Sequence, residues 1–269
     1  MEYRQMGRTG EKVSTIGMGT WRFGIHRNAE ERAEEVAVLK KGIELGMNLI
    51  DTAEIYSSGR SEEIVGEAIK ELREKVFIAT KVAPGNLHHD DVIRSCKASL
   101  KRLGTTYIDL YQVHWPDPRV PIKETMSAME RLVQDGLTRY IGISNFSVAQ
   151  TEDARAALAR NEIVSNQVEY SLRNRLVEED VLPYCAREKI TLIAYSPLAR
   201  GHIADSVPEA ILRKYNVTPA QVMLNWVTRL EQVVAIPKSG DIAHLEENAA
   251  SVSVRFDPAD YERMSRENA

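Results

Sequence analysis

The chain has 269 residues, 43% of them hydrophobic and 28% charged, which is typical of a soluble globular protein with a sizeable core. Its 35 basic and 39 acidic side chains give a formal net charge of −4, which argues against a nucleic-acid or membrane surface. Two cysteines, Cys96 and Cys185, argue against a disulfide framework or structural zinc site and favour a reducing compartment. The polar start and the lack of a bilayer-length apolar run indicate a cytoplasmic protein.

A small hairpin is predicted at the start, because Tyr3–Gln5 and Lys12–Ser14 flank the turn-forming stretch Gly7-Arg8-Thr9-Gly10. Eight short runs rich in valine and isoleucine follow, and each predicts a strand. The predicted strands are Thr15–Gly19, Asn48–Asp51, Val76–Lys81, Tyr107–His114, Tyr140–Ser144, Ile163–Gln167, Thr191–Tyr195 and Val233–Ile236.

Helical patterns occupy the segments between these runs. Ser61 is a predicted N-cap, with Glu62 and Glu63 in the first turn of the helix that it begins. Gly104 closes an apolar stripe, and Thr218-Pro219-Ala220-Gln221 reads as a capping box with proline at the first helical position.

Strand and helix alternating eight times is the repeat of a (β/α)8 barrel, the TIM barrel, and we predict this fold for a single domain over residues 1–269. A doubly wound open sheet uses the same alternation and is the alternative. Two observations favour the barrel. The stretch Ile16–Trp21 lacks the third glycine of a GxGxxG turn, and eight strands are the number that closes a barrel.

Polar or aromatic side chains stand at or just after nearly every predicted strand end. In a barrel these ends meet at one rim, where the chemistry takes place. A lone lysine or histidine there is more often structural, but a full set indicates a site. The set is Trp21, Asp51, Tyr56, Lys81, His114, Trp115, Ser144, Asn145, Gln167, Tyr195, Ser196, Lys238 and Ser239.

Four of these side chains suggest proton transfer. A free phenol has a pKa of about 10, so Tyr56 needs help to exchange protons near neutral pH. An ammonium at Lys81 would lower the pKa of the phenol, and Asp51 would neutralise and orient that ammonium. Tyr56 could then protonate a carbonyl oxygen or deprotonate an alcohol, and a neutral His114 could donate a second hydrogen bond to the oxygen.

The chain resembles the aldo-keto reductase superfamily in an ordered set of motifs that extends from about Tyr3 to the last helix. Each motif alone is modestly specific, and the ordered set is very specific. The motifs are Gly46–Ala53 with Tyr56, Ala79–Lys81, His114–Trp115, Gly142–Phe146, Gln167–Tyr170, Tyr195–Leu198 and Ile236–Ser239.

The resemblance implies NAD(P)H-dependent reduction of an aldehyde or ketone without a metal. It implies a catalytic tetrad of Asp51, Tyr56, Lys81 and His114, with Tyr56 as the acid. It also implies that Ser144, Asn145 and Gln167 bind the nicotinamide carboxamide, that Tyr195 stacks on its ring, and that Lys238 and Ser239 bind the 2′-phosphate of NADPH. The other implied cofactor contacts are Thr20, Ser196, Leu198, Gly201, Ile236, His244, Glu247 and Asn248.

Two departures from the family pattern affect the expected ligands. His244 stands where many members have an arginine, and histidine cannot reproduce a bidentate guanidinium. Lys238 still favours NADP as the preferred cofactor, but without the arginine we expect NAD to be accepted as well. The segment Asp117–Pro121 is short, which predicts an open substrate pocket. Its expected walls are Trp21, Phe23 and Trp115, with Phe146 as a further candidate.

Two other functions fit parts of the sequence. An aldolase-type barrel would use Lys81 as a Schiff-base nucleophile, but it would not need the dinucleotide set. A regulatory subunit of the same fold would bind cofactor with little turnover. The partner we expect is a small carbonyl compound, on a monomer or weak homo-oligomer.

Overall fold

The computed structural model describes residues 1–25, 28–202 and 207–268. Two strands, β1 (Tyr3–Gln5) and β2 (Lys12–Ser14), pair antiparallel as the predicted hairpin. Eight further strands form one parallel sheet. They are β3 (Met18–Gly19), β4 (Leu49–Asp51), β5 (Phe77–Val82), β6 (Ile108–Val113), β7 (Thr138–Ser144), β8 (Ile163–Glu169), β9 (Thr191–Tyr195) and β10 (Val233–Ala235).

The parallel sheet follows chain order from β3 to β10, and its two outer strands meet again. Parallel bridges join Ile16 to Ala235 and Gly19 to Lys238, and the amide of Gly17 donates to the carbonyl of Ala235 over 2.8 Å. This seam closes the sheet into a barrel. The predicted (β/α)8 fold is therefore confirmed, and the open sheet was the wrong alternative.

Helices surround the barrel in the expected alternation. They are α1 (Ala29–Glu44), α2 (Arg60–Ile69), α3 (His89–Leu103), α4 (Ile122–Gln134), α5 (Val148–Ala157), α6 (Val181–Glu188), α7 (Glu209–Tyr215), α8 (Pro219–Val227), α9 (Ile242–Ala250) and α10 (Pro258–Glu267). The predicted capping box begins α8, where the hydroxyl of Thr218 accepts from the amide of Gln221. No helix of the described part of the chain is both long and apolar enough to cross a membrane.

The predicted N-cap at Ser61 was wrong. Helix α2 begins at Arg60, and its N-cap is Gly59, two residues before Ser61, with a left-handed φ of 89°. The hydroxyl of Ser61 is buried and lies 2.7 Å from the hydroxyl of Thr20 and 3.0 Å from that of Thr52. It ties α2 to the ends of two strands and so cannot cap the helix.

The barrel interior is filled by a small cluster of buried apolar side chains. Its members are Met6, Val13, Leu49, Phe77, Ala79, Leu110, Val164, Ile193, Val234 and Ile236. Met6 and Val13 belong to the hairpin segment, so the hairpin closes the end of the barrel where the strands begin. Gly7 permits this contact, because a Cβ there would lie 2.5 Å from the carbonyl oxygen of Val164. Only the opposite end, where the strands finish, is left for a site.

Candidate active site

A buried ion pair forms the base of the barrel mouth. Asp51 ends β4 and Lys81 lies on the neighbouring strand β5, where parallel pairing brings them together. The ammonium of Lys81 donates to Oδ2 of Asp51 over 2.7 Å and to the carbonyl of Thr52 over 2.8 Å. The side chains of Lys81 and Asp51 are 0% and 3% exposed, so water does not solvate either charge and each is stabilised by the other.

Tyr56 stands beside this pair on a tight turn. The turn Tyr56–Gly59 contains two left-handed residues besides Gly59, namely Ser57 with φ 49° and Ser58 with φ 57°. It brings the phenol oxygen to 3.4 Å from the Lys81 ammonium, whose nitrogen lies 5.0 Å from the centre of the tyrosine ring. The sequence prediction that Asp51, Lys81 and Tyr56 meet in space agrees with this placement.

The acidity of Tyr56 differs from the sequence-based expectation. Burial raises the pKa of the phenol, and this effect exceeds the lowering by the Lys81 ammonium, which Asp51 also opposes. Lys81 does lower the pKa of the phenol as expected, but burial outweighs it and the net direction is upward. Tyr56 is protonated near neutral pH, which is the state that a proton donor requires.

Lys81 stays charged in this environment. Burial lowers the pKa of its ammonium, but Asp51 and then Tyr56 act against burial, and the net direction is upward. A protonated lysine can stabilise a phenolate at Tyr56. It cannot attack a carbonyl carbon, because that reaction needs a free amine.

His114 completes the expected set of four. Burial and, after it, the Lys81 ammonium lower its pKa to about 2, so the ring is neutral as predicted. Its ring centre lies 5.8 Å from that of Tyr56 in an edge-on arrangement, and it stacks on Trp115 at 4.1 Å. Within the described residues, the buried Nδ1 atom of His114 has no hydrogen-bond partner.

The predicted nicotinamide ligands form a connected network across the mouth. The side-chain amide of Asn145 donates to the carbonyl of His114 over 3.0 Å and to the hydroxyl of Ser144 over 2.9 Å. The hydroxyl of Tyr195 donates to the amide oxygen of Asn145 over 3.0 Å. Gln167 makes a contact that was not predicted from the sequence. Its side-chain amide nitrogen donates to Oδ1 of Asp51 over 2.7 Å.

The residues predicted for the cofactor tail gather between the end of β10 and the start of α9. Asn248 donates to the hydroxyl of Ser239 over 2.7 Å, and both residues are buried. Lys238 is exposed, and no carboxylate among the described residues forms an ion pair with it. The ring of His244 pairs with Asp241, the N-cap of α9, across 2.6 Å from Nδ1 to Oδ2. Asp241 was not predicted from the sequence, although an aspartate just before an apolar helical pattern is a common N-cap.

The remaining predicted residues differ in exposure. Thr20 and Ile236 are buried at strand ends, while Ser196, Leu198 and Glu247 are half-buried and Gly201 is exposed. A polar cleft that the sequence did not reveal opens beside them between the loops after β8 and β9. It is lined by Glu169, Ser171, Arg173, Asn174, Ala199, Arg200 and His202.

The predicted aromatic walls are only partly exposed. Trp21 is 58% exposed and Trp115 is 40% exposed, as expected for the rim of an open pocket. The placement of Phe23 and Phe146 corrects the expectation, because both rings are buried in the outer apolar core, at 1% and 2% exposure. Their apolar surface packs between sheet and helices and leaves none for a substrate.

No group of three or more histidine, cysteine, aspartate or glutamate side chains within residues 1–25, 28–202 and 207–268 could hold a metal ion. Both cysteines are buried, and burial raises the pKa of each thiol to about 12.

Comparison with known proteins gives consistent matches. A family model described as the Aldo/keto reductase family matches residues 15–268. Methylglyoxal reductase YeaE of Escherichia coli is 41% identical over 260 residues, which cover 94% of this chain and 90% of that protein.

Two solved structures are similar along nearly the whole chain. The thermostable aldo-keto reductase Tm1743, solved with the inhibitor epalrestat, has a TM-score of 0.94 at 40% identity and covers 99% of this chain and 100% of its own. An aldo/keto reductase from Klebsiella pneumoniae, solved with NADP and acetate, has a TM-score of 0.88 at 38% identity and covers 98% and 95%.

Proposed function

Because this chain belongs to the aldo/keto reductase family, we propose that its barrel mouth reduces the carbonyl group of a small aldehyde or ketone with Tyr56 as the proton donor. The chain is an NAD(P)H-dependent oxidoreductase of this family. The observation that carries the roles of the residues is the position of the Lys81 ammonium, which contacts the Asp51 carboxylate and the Tyr56 hydroxyl together.

The residues of the mouth divide the work of proton transfer. A bound NADPH would supply the hydride for the carbonyl carbon. Tyr56 donates its proton to the carbonyl oxygen, and the O–H bond of the phenol breaks as the alcohol O–H forms. Lys81 stabilises the resulting phenolate, and Asp51 holds Lys81 in place. The neutral His114 ring is close enough to Tyr56 to donate to the same oxygen.

The donor set at the rim fits a dinucleotide. Lys238 is an exposed cation without a carboxylate partner among the described residues, beside the buried hydroxyl of Ser239. An ammonium that no described carboxylate neutralises, and a hydroxyl next to a helix start, suit a phosphate. At the nicotinamide end of the dinucleotide, the side-chain amides of Asn145 and Gln167 suit a carboxamide. We assign these four residues to the cofactor.

NADPH is the preferred cofactor in this proposal. The support is Lys238 with Ser239, together with the Klebsiella relative that was solved with NADP. The carboxylate of Asp241 stands at the start of α9 and already pairs with His244. A negative group there reduces the advantage of a phosphate, so we expect NADH to be accepted with a modest penalty.

We propose a small 2-oxoaldehyde, with methylglyoxal as the first candidate, as the substrate class. The support is the Escherichia coli relative, which is named as a methylglyoxal reductase. The rim of this chain is compatible with a small 2-oxoaldehyde, because the exposed rings of Trp21 and Trp115 flank a mouth with a short loop after β6.

The aldolase alternative does not fit the electrostatics of the mouth. A Schiff-base lysine must lose its proton near neutral pH, whereas Asp51 and Tyr56 raise the pKa of Lys81 against the effect of burial. The pair that suits Lys81 for a reductase prevents it from acting as a nucleophile.

The test is oxidation of NADPH and NADH followed by absorbance, with methylglyoxal, other aldehydes, ketones, sugars and quinones as substrates. We expect methylglyoxal to be turned over with the highest kcat/KM and NADPH to be the better donor. Absence of turnover with every carbonyl, despite nucleotide binding, would favour the regulatory-subunit alternative and overturn this proposal.

A further inference from the structure

Gln167 makes a contact that a cofactor ligand alone does not require. It lies on β8, across the barrel from β4, and its side-chain nitrogen reaches Oδ1 of Asp51 at 2.7 Å. Gln167 and Asp51 are both 2% exposed, so water cannot replace this hydrogen bond. The two oxygens of Asp51 therefore have separate partners, Lys81 on one and Gln167 on the other.

The orientation of the Gln167 amide follows from chemistry. A carboxylate paired with an ammonium only accepts hydrogen bonds, so the amide must turn its NH2 group toward Asp51. The amide oxygen of Gln167 is then the end turned away from Asp51, and no other described side chain or amide donates a hydrogen bond to it. Whatever binds Gln167 from the mouth must therefore be a donor.

We propose that Gln167 is a positioning residue for the proton donor: it fixes the Asp51 carboxylate, and through Lys81 it fixes the Tyr56 hydroxyl. The proposal rests on the proposed function for its catalytic consequence. If only one oxygen of Asp51 were held, the carboxylate could rotate away from Lys81. The contact from Lys81 to Tyr56 is already 3.4 Å long, so a small displacement of Lys81 would break it. A cofactor carboxamide would donate its N–H to the free oxygen of Gln167 and become linked to the same chain of contacts.

The chain offers a matched control in Gln112. This glutamine is fully buried on β6, and neither polar atom of its side chain has a partner among the described residues. Gln112→Met therefore removes no hydrogen bond to another residue, whereas Gln167→Met leaves an oxygen of Asp51 buried and unsatisfied. The two variants have the same change in shape and a different change in bonding.

The first experiment compares urea unfolding and kinetics of the full chain. We expect Gln167→Met to unfold at lower urea than wild type without cofactor and to lose at least about tenfold in kcat. Gln112→Met should match wild type in both. Unfolding and kcat of Gln167→Met that coincide with wild type would overturn the proposal.

Gln167→Glu distinguishes positioning from simple cofactor binding by the direction of its pH dependence. A protonated carboxyl at this position can donate to Asp51, but an ionised one repels it, and burial beside Asp51 raises the pKa of the new group. A raised folded-state pKa gives stability that is complete at low pH and is lost as pH rises. The other titratable side chains at the neighbouring strand ends are Tyr56, Lys81, His114 and Tyr195, and Glu169 ends β8 itself.

We therefore expect Gln167→Glu to approach wild type near about pH 5 and to fall below it by at least about tenfold in kcat near about pH 8. Its unfolding midpoint without cofactor should show the same trend. If Gln167 acted only as an acceptor for the carboxamide, ionisation would help, and the kcat ratio to wild type would rise with pH instead. That outcome would overturn the proposal.

The two proposals fail in different ways. A wild-type protein without carbonyl turnover would remove the proposed function, yet unfolding without cofactor would still decide whether Gln167 holds Asp51. A wild-type protein that reduces carbonyls beside a Gln167→Met variant of equal kcat would remove only the positioning role.

Discussion

The two ends of the barrel each bury an aspartate, Asp51 at the mouth and Asp109 at the end covered by the hairpin, but they satisfy it differently. Asp109 is 1% exposed and receives Arg73 at 2.7 Å, Arg139 at 2.9 Å and the backbone amide of Ile78 at 2.9 Å. Asp51 is 2% exposed and has one lysine and one amide.

The two aspartates differ in how completely the polar groups around them are hydrogen-bonded. A guanidinium is a rigid donor that keeps its proton, so the Asp109 network is complete and serves stability. Arg73, for example, also donates to the carbonyls of Val76 and Tyr107. Lys81 instead divides its donors among Asp51, the carbonyl of Thr52 and the Tyr56 hydroxyl at 3.4 Å, and the nearby Nδ1 of His114 has no partner among the described residues. Incomplete satisfaction of buried polar groups at the mouth indicates where a ligand is accommodated.

The largest effect should come from Tyr56→Phe at the mouth. We expect kcat to fall by about 10²- to 10⁴-fold, because the proton donor is lost, with nucleotide affinity and unfolding midpoint close to wild type. Steady-state kinetics, nucleotide titration and urea unfolding measure the three quantities. Retention of more than about a tenth of kcat would remove Tyr56 from its role.

Lys81→Met should damage both activity and stability. It leaves Asp51 as a buried charge without its cation, so the free energy of unfolding should fall by about 3–5 kcal/mol, and kcat should fall with it. The double variant with Asp51→Asn is the control, since it removes both charges and should recover part of the stability. If the melting temperature and kcat both stayed at wild-type values, the Asp51–Lys81 pair would contribute neither to stability nor to catalysis.

Asp109→Asn should be the counterpart at the closed end. We expect the free energy of unfolding to fall by about 2–3 kcal/mol, because hydrogen bonds to charged groups are lost, while kcat per folded molecule stays unchanged. The distinction between the two ends would break down if this variant lost kcat in proportion to Lys81→Met.

His114 predicts an acid sensitivity of stability. Its folded-state pKa of about 2 lies below the ordinary value, so the unfolded chain binds a proton that the folded chain does not. Stability is therefore lost as pH falls below about 6.5, by about 2 kcal/mol between pH 7 and pH 5. His114→Gln should remove this part of the pH dependence of urea unfolding, and an unchanged slope would mean that other groups cause it.

The smallest effect concerns the cofactor tail. His244→Arg should tighten NADPH by about tenfold and NADH far less, because a guanidinium adds a charge-assisted hydrogen bond to a phosphate. Asp241→Asn keeps an N-cap side chain, removes the carboxylate and should favour NADPH in the same direction. Fluorescence titration with both nucleotides measures this. Equal tightening would place position 244 against the adenine, and no change would place this segment elsewhere.

The sequence was informative where a pattern has one physical solution. Alternating apolar runs predicted the barrel, and Asp51, Lys81 and Tyr56 could be predicted to meet because parallel strand ends share one rim. The first predicted strand, Thr15–Gly19, is shorter in the structure, Met18–Gly19, because it pairs there only at the seam and with β4.

The errors concern contacts between distant parts of the chain. Gln167 and Asp51 are 116 positions apart, so no local pattern indicated that a predicted cofactor ligand also holds the tetrad. Phe23 looked like a pocket wall because it follows a strand, but the direction of a side chain in a loop depends on tertiary packing. The net pKa of Tyr56 depended on the balance of burial and charge, which needs three-dimensional distances.

The seam between the first and last strands has a consequence for dynamics. It is joined by two isolated bridges and a few amide hydrogen bonds, so its local unfolding should need less free energy than that of the longer strand pairs. Lys238 belongs to one of these bridges and Ser239 follows it. A ligand held there binds the closed seam and not the open one, so it shifts the opening equilibrium and slows deuterium uptake at Gly17, Gly19 and Ala235. If the cofactor binds Lys238 and Ser239 as proposed, we expect its binding to stabilise the closed barrel.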